Sequence, residues 1–157
     1  MQNILIVEDD PVFGALMTQT LSQAGFETRL VPCIREALKE IDVRKDSIDG
    51  IVLDLCLPNG AGALVVGTLE EAAPEIPIVV VTALEAKEIE DVVIMIGAHD
   101  FLPKKSLNMD EVVRSVRHSI VRHKVRGDFK PLQATLAKAE AKVDKADKLV
   151  EVMGNSA

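Results

Sequence analysis

An open α/β sheet of five parallel strands in the order 2-1-3-4-5, doubly wound with helices on both faces, is what this chain predicts. Two patterns carry the prediction. Short apolar runs alternate five times with longer segments of helical period, and alternation of that kind requires parallel strands joined by crossover helices. Crossovers are right-handed, which makes the sheet doubly wound, and the order 2-1-3-4-5 that best satisfies them places strands 1 and 3 side by side.

Each element has its own signal. Ile4–Val7 is a run of aliphatic residues suited to a strand buried on both faces. Asp10-Pro11 follows as N-cap and first helical residue, and Val12, Leu16 and Leu21 mark a helix to Ala24, stopped by Gly25. Thr28–Val31 is the second strand, and Ile34, Ala37, Leu38 and Ile41 form the buried stripe of the next helix. Ile48–Leu55 is the third strand; Pro58, Asn59, Gly60, Ala61 and Gly62 then form a turn rather than a phosphate-binding loop. Ala63–Ala73 is helical, and Pro77–Val81 is a continuous apolar strand. Glu85–Ile96 is helical, with Gly97 as its stop, and His99–Leu102 is the last strand. Asn108 or Asp110 caps a helix reaching about Val125.

Bulk properties narrow the class. The chain has 157 residues, of which 48% are hydrophobic and 27% charged, enough for a buried core and typical of a globular domain. Neither a signal peptide nor an apolar run approaching the roughly 18 residues of a membrane span is read from it, and a cytoplasmic protein with reduced Cys33 and Cys56 is expected. Both cysteines sit in apolar sequence, and Cys56 is expected to be a small buried filler. The net charge of −7 is uneven: residues 1–120 carry ten basic and twenty acidic residues, and residues 121–157 carry eight and five. The acidic body repels nucleic acid, and the basic cluster Arg122, His123, Lys124, Arg126 and Lys130 reads as a solvated helix end.

Charged residues at the strand ends carry the chemistry. Glu8, Asp9 and Asp10 follow the first strand, Asp54 closes Ile51-Val52-Leu53 in the third, and Lys104 lies just past the fifth, while Thr82 ends the fourth. Ligands of such sheets bind beyond the carboxyl ends of the strands, at the switch point between strands 1 and 3. Carboxylates gathered beside buried strands repel one another unless a cation neutralises them. Hard oxygen ligands with open positions suit Mg²⁺, and no histidine falls near enough to suggest Zn²⁺. Asp54, kept ionised there, is equipped to attack phosphorus, with Lys104 and Thr82 contacting the transferring group. His99, His118 and His123 read as surface or helix residues without a catalytic role.

Over roughly residues 1–125 the chain resembles the receiver domain of two-component response regulators, a flavodoxin-like fold. The resemblance rests on Ile-Leu-Ile-Val-Glu-Asp-Asp-Pro at 4–11, Leu-Asp-Leu-Cys-Leu-Pro at 53–58 with Gly62, Val-Val-Val-Thr-Ala at 79–83, and Gly-Ala-His-Asp-Phe-Leu-Pro-Lys at 97–104. It implies that Asp54 accepts a phosphoryl group from a histidine kinase or phosphotransfer protein. It also implies that Asp9, Asp54 and the backbone carbonyl of Cys56 hold Mg²⁺, with Glu8 acting through water. Thr82 and Lys104 would bind phosphoryl oxygens, and Phe101 takes the place of the aromatic switch residue. Such a protein signals by phosphorylation-dependent protein–protein contact and catalyses only its own phosphotransfer and dephosphorylation. The alternatives are a receiver cut from a larger regulator or hybrid kinase, and a Mg²⁺-dependent aspartyl phosphohydrolase. The second would have a carboxylate two residues after the nucleophile, where Cys56 stands.

The chain departs from the family pattern in places. Lys105 stands where proline often follows the lysine, so a trans peptide is expected there. Phe101 lacks the hydroxyl of the commoner tyrosine. Leu84 and Cys56, each two residues beyond a pocket residue, offer no carboxylate or amide to orient water, which implies slow self-dephosphorylation.

A receiver over 1–125 and a helical extension over 126–157 is the expected organisation. Leu132, Leu136, Ala139, Val143, Ala146, Val150 and Met153 are spaced alternately by four and three on a helix from Pro131 to Met153, about 35 Å long at 1.5 Å per residue. It could pack on its own receiver, dimerise or link to a further domain, and no DNA-binding motif fits within it. In the helix 85–96, Ile89, Val92, Val93 and Ile96 are expected to face the core. Ile94 and Met95 carry apolar surface further round, making that face a second candidate for homodimerisation.

Overall fold

A computed structural model describes residues 1–58 and 62–154. The five parallel strands are β1 (Asn3–Val7), β2 (Glu27–Val31), β3 (Gly50–Leu53), β4 (Ile78–Thr82) and β5 (Asp100–Pro103), in the order β2-β1-β3-β4-β5. The helices are α1 (Pro11–Gln23), α2 (Ile34–Arg44), α3 (Leu64–Ala72), α4 (Lys87–Ile96) and α5 (Met109–Gly154). The predicted topology therefore forms, with boundaries shifted by one or two residues in most elements. The third strand is shorter than expected at both ends, running from Gly50 to Leu53, although the N–H of Asp49 still donates to Asn3 O at 2.8 Å. Of the turn expected over 58–62, residues 59–61 lie outside the described residues.

The central strands are buried on both faces, and their side chains alternate between two cores. Leu5, Val7, Ile51, Leu53, Ile78 and Val80 face α2, α3 and α4, where Ala37, Ile41, Val66, Leu69 and Val93 pack. Ile4, Ile6, Val52, Val79 and Val81 face α1 and the first turns of α5, against Met17, Leu21, Val112, Val116 and Ile120. Fully burying one such side chain is worth about 1.5–3 kcal/mol, so a one-residue slip in any central strand would exchange the two cores and misfit both. β2 is one of the two edge strands, and it exposes Glu27 and Arg29, a charged edge that resists further pairing.

The helix ends follow their capping residues. Asp10 caps α1, its Oδ1 accepting from the backbone N–H of Val12 at 2.9 Å. Asn108 Oδ1 accepts from Asp110 N–H at 3.0 Å, so of the two candidates Asn108 is the cap of α5. Gly25 and Gly97 have φ of 95° and 139°, conformations that favour glycine at a helix stop. Among the described residues no peptide is cis, so Lys104–Lys105 is trans as expected.

Several expectations are corrected. In α1 the buried residues are Gly14, Met17 and Leu21; Val12 and Leu16 face solvent. In α4 only Val93 is buried, with Ile89 and Ile96 partly so, while Val92, Ile94 and Met95 are exposed. Helix α5 does not stop near Val125: it remains helical to Gly154, with Pro131 inside it. Proline removes the N–H that would bond residue 127 and crowds that carbonyl. Residue 127 is a glycine, and both positions are exposed, so water can take the freed carbonyl. By compactness the chain divides into Met1–His123 and the residues from Lys124 onward, and every described residue of the second unit is exposed. No helix among the described residues is long and apolar enough to cross a membrane.

His99 and His123 are not simple surface residues. The backbone N–H of Ile78 donates to His99 Nδ1 at 3.2 Å, and His99 Nε2 lies 3.0 Å from His123 Nδ1. Because the amide must donate, Nδ1 is the acceptor nitrogen; in the neutral ring Nε2 carries the proton and donates to His123. The imidazole thereby satisfies an amide at the start of β4. His99→Ala should leave that amide unpaired and cost about 1–3 kcal/mol, measurable by equilibrium urea unfolding. His123→Ala, which leaves the amide bonded, should cost less; equal losses would assign the effect to packing.

Candidate functional site

Strand register places the charged residues. Val7 and Leu53 are partners in adjacent strands, so Glu8 and Asp54 leave the sheet side by side at its carboxyl edge. The backbone continues the ladder there, with Asp54 N–H donating to Val7 O and Glu8 N–H to Val31 O, both at 3.0 Å. Thr82 and Pro103 are likewise partners, which puts Lys104 just past the same edge.

Long-range side-chain contacts then close the crevice. Lys104 Nζ donates to Glu8 Oε2 at 2.9 Å and to Asp54 Oδ2 at 3.1 Å, so one ammonium bridges two carboxylates that are each at least 95% buried. Asp9 is exposed at the rim, and one oxygen from each of Glu8, Asp9 and Asp54 lies within 4.8 Å of the others. This is the one such acidic group among the described residues. Asp10 stands apart as the cap of α1 and joins the site through its backbone N–H, which donates to Glu8 Oε1 at 3.1 Å. Asp54 Oδ1 accepts from the N–H of Cys56 at 3.0 Å, which fixes the carboxylate and leaves Oδ2 to the lysine. Thr82 is fully buried; its Oγ1 lies 3.7 Å from Cys56 Sγ and accepts from Leu84 N–H at 3.4 Å.

The electrostatics are unbalanced. Burial pushes the Glu8 carboxyl above its usual range and the Asp54 charge adds to this, with the Lys104 hydrogen bond opposing both. Burial works to lower the Lys104 ammonium, but hydrogen bonds to Glu8 and Asp54 outweigh it and hold the group above its ordinary value. Three carboxylates face one cation. The surplus negative charge and the all-oxygen donor set fit a hard divalent ion such as Mg²⁺.

The structure thus gathers Glu8, Asp9, Asp54, Thr82 and Lys104 at one edge, with the Cys56 backbone beside them. Phe101, 7% exposed, is buried in the core on the α4 side of the sheet. Cys56 itself is not the buried filler expected: it is exposed between buried Leu55 and Leu57, and that period-two alternation was the available signal. Phe13 went unremarked in the sequence. Its ring centroid lies 4.2 Å from Lys104 Nζ, a cation–π contact that helps position the ammonium. An aromatic residue in the first turn after strand-end acids was the only local hint.

Residues 4–117 match the family described as the response regulator receiver domain. The chain belongs to that family. The receiver is 38% identical over 104 residues to the swarming motility regulation protein RssB of Serratia marcescens, covering 65% of this chain and 46% of that protein. It is 30% identical over 103 residues to the response regulator protein PilR of Pseudomonas aeruginosa, covering 66% of this chain and 23% of PilR. The match therefore spans less than half the length of either relative. A CheY-like receiver domain protein from Methanospirillum hungatei superimposes with a TM-score of 0.72 at 20% identity, covering 80% of this chain and 98% of that one, a likeness of fold.

Removing the lysine should expose the imbalance. Breaking a buried pair by deleting one partner typically costs about 3–5 kcal/mol, so Lys104→Met should lose about 3 kcal/mol in metal-free urea unfolding, and added Mg²⁺ should recover part of it. Unchanged stability would mean that solvent already compensates Glu8 and Asp54.

Proposed function

We propose that this receiver accepts a phosphoryl group on Asp54 from a histidine kinase or histidine phosphotransfer protein, and that the modified form signals by binding other proteins. The observation that carries the reading is the Lys104 bridge between Glu8 and Asp54, with Asp9 at the rim. It keeps a charged, oriented carboxylate at the mouth of a buried crevice. We take residues 1–125 as the receiver and 126–157 as a helical extension, a division supported by the nearby break in compactness after His123.

Asp54 attacks the phosphorus of the donor phosphohistidine, the P–N bond breaks, and the imidazole leaves with its electron pair as an acyl phosphate forms. Glu8 and Asp9, with Asp54 and the carbonyl of Cys56, would hold Mg²⁺. When bound, that ion supplies charge neutralisation for the transferring phosphoryl oxygens. Lys104, already bonded to Asp54 Oδ2, is in reach to pair with the new phosphoryl oxygens. Conversion of the Asp54 carboxylate into an acyl phosphate would also shift the ammonium's second partner from that carboxylate to the more negative phosphoryl group. Thr82 would donate its hydroxyl to the phosphoryl group. Phe101, partnered in register with Val80, would then repack by shape alone, since it has no hydroxyl to bond.

Release of the phosphoryl group needs an oriented water. Position 56 offers a thiol and position 84 an aliphatic side chain, so neither aligns one. The acyl phosphate should therefore be long-lived.

Purified protein incubated with Mg²⁺ and a small phosphoramidate donor should gain one phosphoryl group by intact mass, and Asp54→Asn should gain none. Labelling of the variant to the same extent would sink the assignment of Asp54. Once donor is removed, decay should take minutes or longer, and Cys56→Asn should accelerate it severalfold. A lifetime of seconds in the unaltered chain would overturn the reading of positions 56 and 84.

A further inference from the structure

The second compact unit carries apolar side chains in a pattern that its own burial does not use. Counting in heptads, the a positions are Phe129, Leu136, Val143 and Val150, and the d positions are Val125, Leu132, Ala139, Ala146 and Met153. The spacing of four and three is unbroken from Val125 to Met153, extending beyond the Pro131 start read from the sequence alone. The larger members of this seam are between 45% and 72% exposed.

The width and period of the stripe say what it fits. A helix that packs on a globular core presents three or four apolar positions per heptad, whereas a coiled coil needs only a and d. Here the e positions are Arg126, Gln133, Glu140 and Asp147, all polar. The g positions are Asp128, Thr135 and Lys142, with Leu149 the exception. A strict seven-residue repeat also drifts about 20° per heptad on a straight helix, and only supercoiling around a partner helix keeps such a seam in contact.

We propose that this seam pairs with the same seam of a second copy of the chain, as a parallel two-stranded coiled coil. β-Branched residues at a favour two strands, and Val143 and Val150 fill two of the four a positions; Ala139 and Ala146 let two helices approach closely while offering little to a third. In the parallel register, g faces the next e of the other copy, so Lys142 meets Asp147 twice per dimer; Asp128 meets Gln133 and Thr135 meets Glu140, without repulsion. An antiparallel pair sets e against e, where Glu140 and Asp147 repel. The two seams would remove on the order of 1,000 Å² from water, at the lower end for a specific interface, so assembly should be reversible. Pro131 falls at c and Gly127 at f, away from the seam, so the weak point in the helix does not occupy the contact. The pairing is independent of Asp54 chemistry and stands apart from the function proposed above.

Sedimentation equilibrium of the full chain should show a monomer–dimer equilibrium in the micromolar range. Leu136→Asp should return the monomer while leaving the thermal unfolding of the Met1–His123 unit unchanged. In a background with Cys33 and Cys56 replaced by serine, Val143→Cys should form an intermolecular disulfide on oxidation. Ala141→Cys, at an outward f position, should not. Asp54→Asn, with or without beryllofluoride, should leave the dimer intact, so failure of the acceptor assignment is read separately. The proposal is overturned by a chain monomeric at every concentration, by dimers that survive Leu136→Asp, or by equal cross-linking at 141 and 143. Dimers formed only with beryllofluoride would also overturn it.

Discussion

A single ammonium holds the working edge of this receiver together. Two carboxylates that are almost wholly buried, Glu8 and Asp54, sit at the ends of adjacent strands, and parallel pairing leaves them no freedom to move apart. In water their repulsion would be small, but in a crevice bounded by apolar strands it is not. Lys104 resolves the conflict from two strands away on the far side of β4. The arrangement depends on strand order: only with β1, β3, β4 and β5 in succession do acids and lysine converge from opposite sides.

That dependence explains why so much of the centre was readable. Aliphatic runs such as Ile4–Val7 and Ile78–Val81 admit few readings except buried parallel strands, and the crossover rule then leaves a handful of orders, of which 2-1-3-4-5 is the common five-stranded one. Once the order is known, residues at or just past the strand ends must lie at the shared edge, so Glu8, Asp54 and Lys104 could be assembled without coordinates. Asp10 was separable from the group because Pro11 follows it and marks a helix start.

What was misread depended on choices that local pattern leaves degenerate. In α1, Val12 and Leu16 have the same spacing as Phe13 and Met17, and only packing into the core around Ile4, Ile6 and Leu21 decides that the second pair faces inward. The thiol at 56 has apolar neighbours in sequence, yet strand-like alternation turns it outward. The sequence reading ends one helix near Val125 and begins another at Pro131. The helix persists because both positions are exposed, so solvent takes the carbonyl of Gly127 that Pro131 leaves without an N–H partner. No reading of isolated segments could have linked Phe13 to Lys104, since their contact exists only after the sheet has formed.

That aromatic contact has a mechanical consequence. The ammonium of Lys104 rests on the Phe13 ring and bonds Glu8, whose other oxygen accepts from the amide of Asp10. Both links lead into the first turn of α1. A ligand that draws the lysine away therefore unloads the aromatic face and tugs the capping residue in the same event. The entrance of α1 is thus tied to the crevice on the opposite side of the sheet from buried Phe101.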